Sequence, residues 1–128
     1  MSEKKRILVV DDEPDFVELM TKALEKEGFE VDVAYNGVEG LEKVKQNPPD
    51  AIALDVMMPE KDGYKMCAEL KADEKYEDIP VVMLTAVASH VSSTRYSHYD
   101  GMSMEADDYV PKGPDAVKEV VESIKSLL

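Results

Sequence analysis

Basic residues are in short supply in this chain. Fifteen lysines and arginines face 28 aspartates and glutamates, a net charge of −13 over 128 residues. Nucleic acid and anionic membrane are poor partners for such a surface, because binding to either begins with neutralising phosphates. Cysteine is nearly absent. The single Cys67 cannot form an intrachain disulfide, which fits a reducing, cytoplasmic setting. Long apolar stretches are also missing; the longest span four or five residues, well short of the ~20 that a bilayer-spanning helix needs. The opening "MSEKKR" is charged and runs straight into an apolar segment, without a signal-peptide pattern. There is no internal repeat and no linker, so the expectation is one domain over residues 1–128 with no output domain. What is present, 44% hydrophobic and 34% charged residues, describes a folded chain rather than a disordered one.

The apolar residues fall into two alternating patterns. Ile7 to Val10, Ala51 to Leu54 and Val81 to Leu84 are short continuous apolar runs, suited to strands buried on both faces of a parallel sheet. "VDVAY" alternates, with Val31, Val33 and Tyr35 on one face, as an edge strand does. "DYV", Asp108 to Val110, is a last strand stopped by Pro111. Between these lie helical stripes: Phe16, Leu19, Met20, Ala23 and Leu24 with Gly28 as a stop; Val38, Leu41 and Val44; Tyr64, Cys67 and Leu70; and Val117, Val120, Val121 and Ile124 after Pro114. The alternation predicts an α/β fold with a doubly wound parallel sheet and helices on both faces. From Ala88 to Met104 topology asks for a further helix, but the serine-rich sequence gives it weak periodicity.

In an open parallel sheet, ligands bind beyond the carboxyl ends of the strands. Asp11, Asp12 and Glu13 follow the first strand, Asp55 the third, Thr85 the fourth and Lys112 the fifth. Carboxylates, a hydroxyl and an ammonium therefore meet on one rim from distant positions in the chain. Crowded carboxylates raise one another's pKa or recruit a cation. Oxygen-only ligands favour a hard ion such as Mg²⁺, with Mn²⁺ as a substitute. A carboxylate nucleophile beside such an ion suits phosphoryl transfer onto the carboxylate. No histidine, serine or cysteine competes for that role at the strand ends.

These residues carry a resemblance to a known family. "ILVVDDE", "DVMMPEKDG" with the spacing D-x-x-M-P-x-x-D-G at Asp55, Met58, Pro59, Asp62 and Gly63, "LTA" at Thr85 and Ala86, and "ADDYVPK" with Tyr109 and Lys112 occur in order over nearly the whole chain. The sequence resembles the receiver domains of two-component response regulators. The resemblance implies a five-stranded sheet of order 2-1-3-4-5, flavodoxin-like, and a stand-alone, cytoplasmic signalling domain. It implies that Asp55 accepts a phosphoryl group from a sensor histidine kinase, a phosphotransfer protein or a small acyl phosphate. Asp12, Asp55 and the backbone carbonyl of Met57 would ligate Mg²⁺, with Asp11 acting largely through water. Thr85 and Tyr109 would form a switch pair, and Lys112 would pair with the phosphate. Such a domain modifies only itself and is not an enzyme on other substrates. Its downstream target would be a protein, and its state a monomer or a weak phosphorylation-dependent dimer. Three departures cluster late in the chain. Gly113 follows Lys112 where the family usually has proline, Glu105 stands where glycine is common, and the stretch from Thr85 to Lys112 is longer than usual. With glycine after Lys112, a cis bond would cost ~3 kcal/mol, so the expectation is a trans bond or a local rearrangement.

Other readings compete. A Mg²⁺-dependent phosphatase with an aspartyl nucleophile usually carries a second aspartate two residues on, where this chain has Met57. A flavodoxin-like cofactor binder needs a Ser/Thr/Gly-rich phosphate loop after the first strand, and this chain has "DDEPDF". A degenerate receiver would lack some acceptor or metal position, and all are filled. A phosphorelay intermediate or phosphate sink remains an alternative role for an intact receiver. Glu13 is either an auxiliary, water-mediated ligand or a helix-start carboxylate favoured by the macrodipole. Cys67 reads as a small core residue, and His90 and His98 as exposed side chains. Met57 and Val87, apolar and flanking the phosphate in this family, predict slow self-dephosphorylation.

Overall fold

The computed structural model describes residues 4–55, 62–86 and 106–128. Met57, Met58, Pro59, Val87, Glu105 and the Ala88–Met104 segment with its two histidines fall outside them. The described elements are β1 (Arg6–Val10), α1 (Pro14–Lys26), β2 (Glu30–Ala34), α2 (Gly37–Gln46), β3 (Ala51–Asp55), α3 (Asp62–Lys71), β4 (Val81–Ala86), β5 (Asp108–Lys112) and α4 (Ala116–Leu127). All five strands are parallel, in the order β2-β1-β3-β4-β5. This is the doubly wound α/β sheet expected from the alternating pattern. The order reverses between β1 and β3, which places the switch point beside the ends of those two strands.

Why the central strands read as continuous apolar runs is plain in the two cores. Successive side chains on a strand face opposite sides. Ile7, Val9, Ala53, Val82 and Leu84 join one cluster with Val17, Met20 and Leu24 of α1 and Val120 and Ile124 of α4. Leu8, Val10, Ile52, Leu54 and Met83 join the other with Val44 of α2 and Met66, Cys67 and Leu70 of α3. Both faces of the central strands are covered, so β1, β3 and β4 carry only apolar residues from Ile7, Ala51 and Val81 until their carboxyl ends. Cys67 is buried in the second cluster, as its place on an apolar stripe suggested.

Four details differ from the sequence pattern. In α1 the buried residues are Val17, Met20 and Leu24, while Leu19 is 59% exposed; at 100° per residue it lies about 200° around the helix from Val17. In α2 Val38 is 67% exposed and the inward face is made by Gly37, Gly40 and Val44. That helix packs by backbone proximity, which an apolar-residue count does not register. β5 runs through Pro111 to Lys112, in register with Thr85 and Ala86 of β4. Proline removes a donor but keeps an extended backbone, so an edge strand continues past it. Tyr35 lies just beyond β2, 45% exposed.

Helix ends follow local chemistry. Gly28 takes φ 94° after α1, with its N–H donating to the Glu25 carbonyl and the Phe29 N–H to that of Leu24. This left-handed residue closes the helix and turns the chain into β2. Asn36 caps α2 by accepting from the Glu39 N–H at 2.8 Å, and the Glu39 side chain accepts from the Tyr35 N–H at 2.8 Å. All peptide bonds among the described residues are trans, including Lys112–Gly113. Among the described residues, no helix is long and apolar enough to cross a membrane.

Candidate functional site

Side-chain alternation sorts the strand-end residues before any contact is considered. Asp55 continues the face of Ala53, and Lys112 that of Val110, both on the α1/α4 side. Asp11, one residue past β1, follows Val9 on that side. Thr85 continues the face of Met83, and Tyr109 packs against the cluster on the α2/α3 side. The rim therefore has two halves: carboxylates and ammonium on one, hydroxyl and aromatic ring on the other.

On the charged half, Asp11 and Asp55 are buried and Asp12 is exposed at the rim. One carboxylate oxygen from each lies within 4.8 Å of the others. Asp11 is held in place by its backbone, whose N–H donates to the Ala34 carbonyl at 3.1 Å. Its Oδ1 accepts from the Glu13 N–H at 2.8 Å. Its Oδ2 is buried and faces the Lys112 ammonium at 2.9 Å in an ion pair. Three carboxylates crowded within 4.8 Å, with one ammonium among them, keep an excess of negative charge, and the set has the oxygen chemistry of a hard divalent ion.

Lys112 is the internal counter-ion. Its Nζ is 3.1 Å from Asp55 Oδ2, hydrogen-bonds to the Glu13 carboxylate, and lies 4.6 Å from the centre of the Phe16 ring. Burial disfavours its charge, but the contacts with Glu13, Asp11 and Asp55 outweigh that and hold it protonated, its pKa above the ordinary lysine value. For Asp11 burial dominates and pushes the carboxyl up to about 6. The Glu13 N–H and Lys112 pull it down, and the nearby Asp55 charge pushes it up again. Neither a proton nor one ammonium neutralises this cluster fully.

On the other half, Thr85 is half-buried beside Leu84, the register partner of Asp55. Tyr109 sits opposite Met83 on β4 with its hydroxyl buried. The structure thus gathers Asp11, Asp12, Asp55 and Lys112 into one contact set and places Thr85 and Tyr109 on the neighbouring strand ends. Met57 is outside the described residues. Two participants were not legible as such in the sequence. Phe16 read only as part of a helical stripe, and Glu13 was open between ligand and helix start; both stand against Lys112. Their shared signal is their place at the start of α1, Glu13 at the N-cap and Phe16 in the first turn.

Comparison with known proteins bears on this arrangement. Residues 7–125 match the family described as the response regulator receiver domain. The chain belongs to that family. Among curated relatives, the receiver is 38% identical over 123 residues to the DNA-binding dual master transcriptional regulator RpaA of Synechocystis sp., covering 96% of this chain and 48% of that protein. It is 42% identical to the response regulator MprA of Mycobacterium leprae, covering 96% and 50%. The chain therefore spans about half the length of these relatives. Among solved structures, the response regulator TrrA of Thermotoga maritima in complex with Mg²⁺ and BeF is 37% identical, with a TM-score of 0.80 over 97% of this chain and 99% of that one. A response regulator from Chloroflexus aurantiacus is 30% identical with a TM-score of 0.83, covering 98% of each. Receiver domains are signalling domains of two-component systems that bind Mg²⁺ at an acidic pocket, and Asp11, Asp12 and Asp55 form that pocket here.

Proposed function

We propose that this receiver accepts a phosphoryl group on Asp55 and signals through the change in charge and packing that follows. The observation that carries the reading is the buried Asp55 carboxylate, held 3.1 Å from Lys112 and beside two further aspartates at the sheet's switch point. A carboxylate oxygen of Asp55 attacks the phosphorus of a histidine-bound or acyl phosphate, and the donor's nitrogen or carboxylate leaves with the bonding electrons. Asp11, Asp12 and Asp55, with the Met57 carbonyl, would hold Mg²⁺ (or Mn²⁺), which when bound supplies positive charge to the phosphoryl oxygens. Lys112 is already protonated and partly desolvated, so it needs no proton transfer to pair with the incoming anion. Thr85 donates its hydroxyl to a phosphoryl oxygen, and Tyr109 adjusts to the space it leaves, biasing a two-state element.

In this reading the donor is a sensor histidine kinase or phosphotransfer protein, the downstream partner a protein, and the chemistry is confined to the domain's own modification. The pronounced negative charge supports a protein partner over nucleic acid for this domain. Met57 and Val87 support a long-lived phosphorylated form. The experiment is incubation with Mg²⁺ and a small acyl phosphate, read by intact mass. One phosphoryl group should add to the wild-type chain and none to Asp55→Asn; equal uptake by the variant, or no uptake by either, rules the reading out.

A further inference from the structure

Glu13 occupies an unusual position for a helix-start acid. It is the N-cap of α1, with extended backbone at φ −104° and ψ 107°, and Pro14 follows it. An N-cap aspartate, asparagine, serine or threonine accepts from the free N–H groups of the first turn, a role for which the longer glutamate is poorly suited. Here the Glu13 side chain makes no such bond. It reaches across to the Lys112 ammonium, which is also 2.9 Å from Asp11 Oδ2 and 3.1 Å from Asp55 Oδ2. Phe16, in the first turn of α1, lies against the same ammonium. The start of α1 thus carries no side-chain cap and holds Lys112 instead.

We infer that Glu13 is a positioning residue that takes Lys112 over from Asp11 and Asp55 when those carboxylates turn to a divalent cation. The inference rests on the Mg²⁺ reading of the pocket. The physical reason is competition. A metal on the Asp11 and Asp55 oxygens repels an ammonium within 3.1 Å of both. Without an alternative partner, Lys112 must either keep those oxygens and oppose the metal or leave for solvent. Glu13, 62% exposed against 0% for Asp11 and 1% for Asp55, lies on the outer side of the cage. It can retain Lys112 at the rim while the inner oxygens are released. Lys112 stays poised there for a phosphoryl group.

The test is a double-mutant cycle on Mg²⁺ affinity, measured by calorimetry on the whole chain. Glu13→Gln should weaken Mg²⁺ binding about fivefold, while the exposed neighbour Asp15→Asn, with the same change of charge, should change it less than about twofold. In a Lys112→Met background the Glu13→Gln effect should fall below about twofold, since the residue it acts through is gone. Glu13→Asp separates positioning from capping. The shorter acid is a good N-cap and cannot reach Lys112 as well, so it should keep or raise the melting temperature yet still weaken Mg²⁺ binding. In the metal-free protein, the ammonium resonance of Lys112 should exchange faster with water in Glu13→Gln than in wild type. If Glu13→Gln weakens Mg²⁺ equally with and without Lys112, Glu13 acts on the metal directly and the positioning role is overturned while the Mg²⁺ pocket stands. If wild type binds no Mg²⁺, the pocket reading fails and the inference falls with it.

Discussion

Asp11 shows how one side chain serves opposite demands. Its burial beneath the rim raises its pKa from the ordinary 3.8 to about 6, so the folded protein holds a proton there that the unfolded chain releases. In the window between those values the folded state binds more protons, and stability falls as pH rises through it. A shift of about two units corresponds to up to about 3 kcal/mol. In metal-free protein, wild type should therefore lose stability relative to Asp11→Asn as pH rises from about 4 to above 6. Melting curves of the two proteins across that range check this; parallel curves would contradict it. Added Mg²⁺ should flatten the difference by compensating the ionised form. The acids at 11, 12 and 55 could be read as a cluster from the strand ends alone. The reach of Glu13 to Lys112 could not, because it depends on the entry angle of α1 over the rim.

Two places show elements locked together by more than apolar burial. At Gly40 a Cβ would lie 2.9 Å from Met66 Sδ, 3.0 Å from its Cε and 3.1 Å from Val10 Cγ2. Met66 is itself buried, and valine is stiff about its single side-chain torsion. Gly40→Ala should thus gain about 1 kcal/mol of helix propensity and lose about 1–3 kcal/mol to overpacking. We expect a net loss near 1 kcal/mol, seen as a lower denaturant midpoint at unchanged slope; a gain would show that Met66 yields freely. The second place is Lys71, at the end of α3. Its Nζ donates to the carbonyls of Glu77 and Ile79 at 3.0 and 2.9 Å and to Asp107 Oδ2 at 3.0 Å. The same Asp107 oxygen accepts from the Val81 N–H at 2.8 Å. One carboxylate thus pins the end of α3 and the start of β4 to the entry of β5. Asp107 is 37% exposed, so solvent screens part of the pair; Asp107→Ala should cost about 1–2 kcal/mol. Amide exchange at Val81 should quicken in that variant, and unchanged protection would argue against the clamp. The sequence pattern located α2 and β5 but misread the glycine face of α2 and the far end of β5. Hydrophobic periodicity reports side-chain burial, not backbone proximity or ladder register.

For the whole molecule, a buried acidic cluster is a store of repulsion that a cation relieves. Mg²⁺ at about 100 times its dissociation constant should stabilise the folded chain by about 2.7 kcal/mol. A thermal melt with Mg²⁺ against one with a chelator should show the rise in wild type and a smaller one in Asp12→Asn. No difference between the two conditions would count against a metal pocket. The alternation of strands and helices, the parallel sheet and its family, and the convergence of Asp11, Asp12, Asp55, Thr85 and Lys112 on one rim are all legible in the chain's order of residues. These follow because chain order and hydrophobic period dictate where strands end. Strand alternation separates the rim residues into two sets, but which helices each set faces, and the partners of Lys112, come from the folded arrangement. Those depend on which sheet face each helix covers and on the angle at which α1 leaves β1, and both are settled by packing between residues far apart in the chain.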